Sequence, residues 1–196
     1  MAKTSTLHDA WLDELRDLYN AEKQISKALP KMVKAATSEP LADAFEAHLQ
    51  ETLKQIQRLE QVFESVGETA KSKTCDGMTG ILEEGKDIMG EDFDEPTMDA
   101  SLIAAAQKVE HYEIASYGTV IAWAESMGHT QAVKLLKQTL SEEEAADEKL
   151  TSIATSGINE QAASGAHGDE DEEEEMAGAG ASRARSRSSS TGRGRR

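Results

Sequence analysis

The chain has 196 residues and a formal net charge of −16, with 38% hydrophobic and only 4% aromatic residues. That size fits one domain plus a tail, and so few aromatics argue against a sandwich or barrel and for an Ala- and Leu-rich helical bundle. The charge argues against duplex DNA or an anionic membrane as a partner of the body, and the single cysteine, Cys75, rules out an intrachain disulfide or a cysteine-based cluster.

Six elements are read along the chain. A first helix starts after Thr6, whose spacing to Asp9 is that of a capping box with Asp in place of Glu. Its apolar positions Leu7, Trp11, Leu15, Leu18, Ile25, Leu29 and Met32 run three or four apart, with Glu22 filling the one gap. Ser38-Glu39-Pro40 reads as a second helix start with proline in the first turn. That helix carries Leu41, Phe45, Leu49, Leu53, Ile56, Leu59 and Phe63 and ends at Gly67, with His48 toward the edge of its stripe and Glu51 further round. Residues 67–98 read as a long crossover containing a short helix, and Cys75-Asp76-Gly77 as an exposed turn with an ordinary thiol. A third helix is expected over 99–127, capped by Asp99 and stopped by Gly128, with Glu113 on its apolar face flanked by Glu110 and Tyr117. A fourth, from Thr130 to Ala154, carries Val133, Leu136, Leu140 and Leu150, with Glu144 and Asp147 placed in the same stripe. From residue 157 the composition turns to Gly, Ala, Ser and charge, which predicts disorder. The domain division is therefore a bundle over 1–156 and a tail over 157–196.

Carboxylates in apolar stripes carry the functional signal, because a buried charge is costly unless paired or metal-bound. Counting from the turn at Gly128-His129, Glu110/Glu113 and Glu144/Asp147 reach the same height at ~1.5 Å per residue. Glu22 and His48/Glu51 agree more loosely. The predicted ligand set is Glu22, His48, Glu51, Glu110, Glu113, Glu144 and Asp147, with Tyr117 beside it as the catalytic candidate. Such oxygen donors with one imidazole suit two iron ions, or manganese. Acids such as Glu14, Glu60, Glu64, Glu125 and Glu142 are read as a solvated face, and His111, which adjoins Glu110, as a surface or capping residue.

The stretches Asp13-Glu14-Leu15-Arg16-Asp17-Leu18-Tyr19-Asn20-Ala21-Glu22-Lys23-Gln24 and Lys108-Val109-Glu110-His111-Tyr112-Glu113-Ile114-Ala115-Ser116-Tyr117-Gly118 resemble the YciE/YciF family of bacterial ferritin-like stress proteins. His48-Leu49-Gln50-Glu51-Thr52 with Gln55 and Arg58-Leu59 agrees. The resemblance covers residues 6–155 and not the tail. It implies an all-α, ferritin-like four-helix bundle with a long crossover between helices two and three, a homodimer and a dimetal centre. Set beside rubrerythrin-type sites, Glu22 and Glu110 stand as first- and third-helix ligands and Glu113 as the extra carboxylate. His48-x-x-Glu51 reverses the usual Glu-x-x-His, and Asp147 stands where the fourth helix usually has histidine. The site is thus richer in oxygen than its relatives.

The function expected is a di-iron carboxylate protein oxidising iron(II) with dioxygen or peroxide in stress protection, with enzymatic status left open. One alternative is a non-enzymatic helical dimer holding a structural metal or none. Another is a weak nucleic-acid-associated protein acting through the six arginines of residues 183–196. No apolar run reaches the roughly 20 residues needed to span a bilayer, and no signal peptide is evident, so a cytoplasmic location without a membrane partner is expected.

Overall fold

The computed structural model describes residues 5–165. Five helices form, α1 (Leu7–Ala35), α2 (Glu39–Ser65), α3 (Asp76–Ile88), α4 (Glu95–Met127) and α5 (Thr130–Ile153). A π-helical turn, Ala154–Ile158, contains Gly157 at φ 133°, and the chain continues helically to residue 165. The disorder expected from residue 157 is therefore corrected over 157–165. Residues 166–196, including the acidic and Arg-rich blocks, lie outside the described residues.

The helix starts follow local chemistry. Thr6 and Asp9 form the expected reciprocal capping box, with Thr6 N–H donating to Asp9 at 2.8 Å and Asp9 N–H to Thr6 at 3.2 Å. The start of α4 differs from expectation. Asp94 caps it, accepting from Thr97 N–H at 2.8 Å, and Pro96 occupies the first turn. Asp99 instead lies inside the helix, 2% exposed, and its two oxygens accept the Thr37 and Ser38 backbone N–H groups at 2.7 and 2.8 Å. The Ser38 side chain makes no capping bond of its own, so Asp99 satisfies the start of α2 from a neighbouring helix. This bond also puts the starts of α2 and α4 at one end of the bundle, so the two run parallel and the 66–94 crossover returns the chain between them. Gly128, at φ 76°, closes α4 in the left-handed conformation that glycine adopts without a Cβ clash.

In the ring of four long helices, α1 packs on α2, α2 on α5, α5 on α4 and α4 on α1, and α3 lies across α4 and α1. Gly77 permits that approach, since a Cβ there would stand 3.2 Å from the Tyr112 ring. Cys75 is buried as the N-cap of α3, not exposed as expected, with its sulfur 2.9 Å from the Tyr112 hydroxyl.

The core is in two halves. One gathers Trp11, Leu15, Leu59, Phe63, Val120 and Leu136, and the other Ile25, Leu29, Leu41, Phe45, Leu102 and Leu150. Each large side chain so buried contributes about 1.5–3 kcal/mol. Trp11 also donates its indole N–H to the Val120 carbonyl at 2.9 Å and stacks on His129. Between the halves every long helix turns a polar residue inward: Glu22 on α1, His48, Thr52 and Gln55 on α2, Glu110 and Glu113 on α4, and Thr139 and Glu143 on α5.

Candidate metal centre

This polar layer is the candidate site. Glu22, Glu110, Glu113 and Glu143 are each at most 3% exposed, and His48 is 6% exposed. Ligand atoms of His48, Glu110, Glu113 and Glu143 all lie within 4.8 Å of one another. His48 Nε2 stands 3.5 Å from Glu110 Oε1 and 3.8 Å from Glu143 Oε2, while Nδ1 faces Glu51 Oε2 at 3.6 Å. These separations exceed hydrogen-bonding distance. Consistent with that, Glu22 Oε2, both His48 nitrogens, Glu110 Oε2, Glu113 Oε1 and Glu143 Oε2 are buried with no hydrogen-bond partner among the described residues.

Two groups brace the layer. The Tyr117 hydroxyl, fully buried, donates to Glu22 Oε1 at 2.5 Å. Gln55 donates its amide to Glu143 Oε1 and, at 3.1 Å, to Glu142 Oε2. Arg58 then grips Glu142 with two nitrogens at 2.8 and 2.9 Å and donates to Thr139 at 2.6 Å. Among the described residues, the one buried guanidinium near the layer is thus directed at Glu142, not into the acid cluster.

Burial sets the electrostatics. It lifts the Glu22 carboxyl to about 7, against a lowering from the Tyr117 bond. Burial also raises Glu110, which His48 partly offsets. It raises Glu113 and Glu143 well above the usual carboxylate range, with the neighbouring acids adding to the effect. Burial pushes the His48 imidazole down, but Glu110, Glu51 and Glu22 outweigh it and the net shift is upward. Two carboxylates at the 4.8 Å limit of the cluster repel by about 3 kcal/mol at an effective dielectric of ~20. Three such pairs approach the whole stability of a typical domain. The layer must therefore hold protons or a cation. Oxygen donors with one imidazole and several unpartnered lone pairs fit a hard or borderline divalent ion such as iron or manganese.

Of the residues expected from sequence, Glu22, His48, Glu110, Glu113 and Tyr117 come together in this layer. Glu51 stands at its edge with its side chain 45% exposed. Glu144 does not join it: the side chain is exposed, and Glu143 holds the inward position. Asp147 is turned aside, accepting from Gln107 at 2.9 Å and standing 3.4 Å from His111, which is exposed as expected. The cause is a phase error of one residue, about 100° on a helix. The buried stripe of α5 is Ala132, Leu136, Thr139, Glu143, Leu150 and Ile153, whereas Val133 and Leu140 lie at its edge. The missed signal is the heptad spacing Leu136, Glu143, Leu150, which places Glu143 midway between two core leucines. Glu142, read from sequence as solvated, is the half-buried partner of Arg58.

Among the described residues, no helix is long and apolar enough to cross a membrane. The DUF892 family, a domain of unknown function, matches residues 6–163, and the chain belongs to it. It is 47% identical over 162 residues to Protein YciF of Escherichia coli (strain K12), covering 82% of this chain and 98% of that protein. The crystal structure of that E. coli stress protein superposes with a TM-score of 0.77 over 80% of this chain and 99% of its own. YcfI of Rhodopseudomonas palustris, also 47% identical, superposes at 0.74 over 76% and 96%. A Xanthomonas campestris protein, 20% identical, shares the fold at 0.60 over 80% and 98%.

Proposed function

Taking membership of this family as the premise, we propose that the chain is a dimetal carboxylate protein that oxidises iron(II) with dioxygen or peroxide. The observation that carries the reading is the set of five buried ionisable side chains, on all four long helices, with unpartnered atoms in one layer. Glu22, His48, Glu110, Glu113 and Glu143 would hold the ions, iron first and manganese as the alternative. A redox-active pair held there supplies the electrons that reduce the oxidant.

The chain's own residues prepare the layer. Tyr117 fixes the Glu22 carboxylate by donating to it, and Gln55 fixes Glu143. His48 turns Nε2 toward Glu110 and Glu143 and Nδ1 toward the half-exposed Glu51 at the edge of the layer. Arg58 holds Glu142 and Thr139 and so sets the phase of α5 beside the site. The reading takes the protein as a homodimer.

The test is anaerobic titration of metal-free, full-length protein with iron(II), followed by metal analysis and stopped-flow absorbance on mixing with oxygen or peroxide. Two irons per chain with rapid oxidation, both lost in Glu113→Ala, is the expected result. Failure of iron, manganese and zinc to bind stoichiometrically would leave a helical protein whose acids share protons.

A further inference from the structure

On the flank away from α3, α2 and α5 do not close over the polar layer. Between them runs a groove of about 640 Å³. Its walls are apolar, formed by Ala44, Phe45, Ala47, Ala145, Ala146 and Leu150, and it ends on His48 and Glu110. Those two residues are more than nine-tenths buried and carry unpartnered polar atoms. The groove thus joins an oily channel to the reactive layer.

Size and charge narrow what it accepts. Hydrogen peroxide or dioxygen needs little more than the ~30 Å³ share of a water molecule, so the groove exceeds their need by about an order of magnitude. Its volume lies in the ~300–1,000 Å³ range that encloses an organic ligand. Alanine walls offer no hydrogen bonds, which favours a hydrocarbon body. The rim carries Glu39, Asp43 and Glu51 against the single cation Lys149, while Glu142 is already paired with Arg58. Its balance repels carboxylates and phosphates and admits an uncharged head.

We propose that the groove binds a neutral organic hydroperoxide, with its hydrocarbon chain along the Ala44–Ala47 and Ala145–Ala146 walls and its peroxide end at His48 and Glu110. The proposal rests on the dimetal reading and specifies the oxidant for the same site. The O–O bond is the one that would break: two iron(II) ions held there would supply one electron each to ROOH, and solvent water reaching the open groove would supply the two protons. The products would be ROH, water and two iron(III).

Binding is tested on metal-free full-length protein with 1-decanol, the unreactive product alcohol of decyl hydroperoxide, and with decanoate as its anionic counterpart. Isothermal titration at pH 8 should show saturable decanol binding at one site per chain, with decanoate at least about tenfold weaker. Ala146→Trp and, independently, Ala47→Phe should each weaken decanol about tenfold or more by filling the groove, with helicity by circular dichroism retained. Absence of saturable decanol binding, equal binding of decanoate, or binding indifferent to both substitutions would overturn the proposal. So would sedimentation showing that the substitutions dissociate a dimer of a protein that does not bind decanol, since a second copy would then cover the groove. Iron stoichiometry on the wild-type protein is read separately. Decanol binding without iron uptake would thus indict the dimetal reading, and iron uptake without decanol binding would indict the groove.

Discussion

Removing the metal should leave a protein whose stability falls as pH rises, and Glu22 gives the size of the effect. Its carboxyl goes from an ordinary 4.5 to about 7 in the fold, chiefly through burial. Below 4.5 both folded and unfolded chains hold the proton, so the group contributes no difference. Between 4.5 and 7 the unfolded chain has released its proton and the folded chain has not. Stability then falls by 1.36 kcal/mol per pH unit, a total near 3 kcal/mol for this one residue. Glu110, Glu113 and Glu143 are shifted in the same direction, and the raised His48 also loses its stabilising contribution as pH rises. In urea, with a slope of ~2 kcal/mol per molar, the Glu22 share alone moves the midpoint by about 1.5 M. The assay is urea unfolding of chelator-treated protein at pH 5, 6, 7 and 8, followed by far-ultraviolet circular dichroism. Glu22→Gln keeps an oxygen to accept from Tyr117 and removes the titration, so its midpoint should vary with pH by that much less. Metal reverses the trend, because its ligands must be deprotonated and affinity therefore rises with pH. A metal-free midpoint that stays level or climbs from pH 5 to 8, or a Glu22→Gln slope equal to wild type, would refute the reasoning.

Further outcomes follow from particular contacts. Glu143→Gln should weaken iron(II) or manganese binding by more than the ~10–100-fold typical of losing an outer partner, while Glu144→Gln, at an exposed position, should leave affinity within about twofold; competition with a chelating dye measures both. Tyr117→Phe removes the donor to Glu22 and should weaken metal binding by about 10–100-fold with helicity intact, checked by the same competition. Asp99→Ala strands the Thr37 and Ser38 N–H groups and should cost about 3 kcal/mol in urea unfolding, whereas Asp99→Asn keeps one acceptor and should cost about half.

What could be read from sequence was whatever local periodicity determines. Thr6 with Asp9 and Gly128 set helix ends through bonds within a few residues, Pro40 favours a start after Ser38 through its fixed φ, and those ends fall where expected. Glu22 and Glu113 interrupt stripes of large aliphatic side chains, which fixes their face. The misreadings occur where a partner comes from another helix. Asp99 looks like a cap for its own helix but caps α2, because Asp94-Glu95-Pro96 already starts α4. The phase of α5 was misread because its buried face includes Ala132 and Thr139, which carry little hydrophobic signal, and Thr139 is held inward by Arg58. Cys75 sits beside glycine in a polar segment, and only its packing against Tyr112 buries it.

The placing of the polar layer has a physical logic of its own. A cluster of acids at one end of a bundle could fray outward into solvent and relieve its repulsion. Here each helix carries its polar residue between two apolar anchors, as with Leu15 and Ile25 around Glu22 or Leu136 and Leu150 around Glu143. Escape of any one carboxylate would pull core residues of both halves into water, at about 1.5–3 kcal/mol for each large side chain. That penalty is comparable to the ~3 kcal/mol of repulsion between a pair of ionised acids at this spacing, so the layer stays in place by taking up protons. Tyr117, Gln55 and Arg58 fix its orientation meanwhile. A cation entering through the α2–α5 groove would displace protons from a site already shaped, and little rearrangement of the helices would be required.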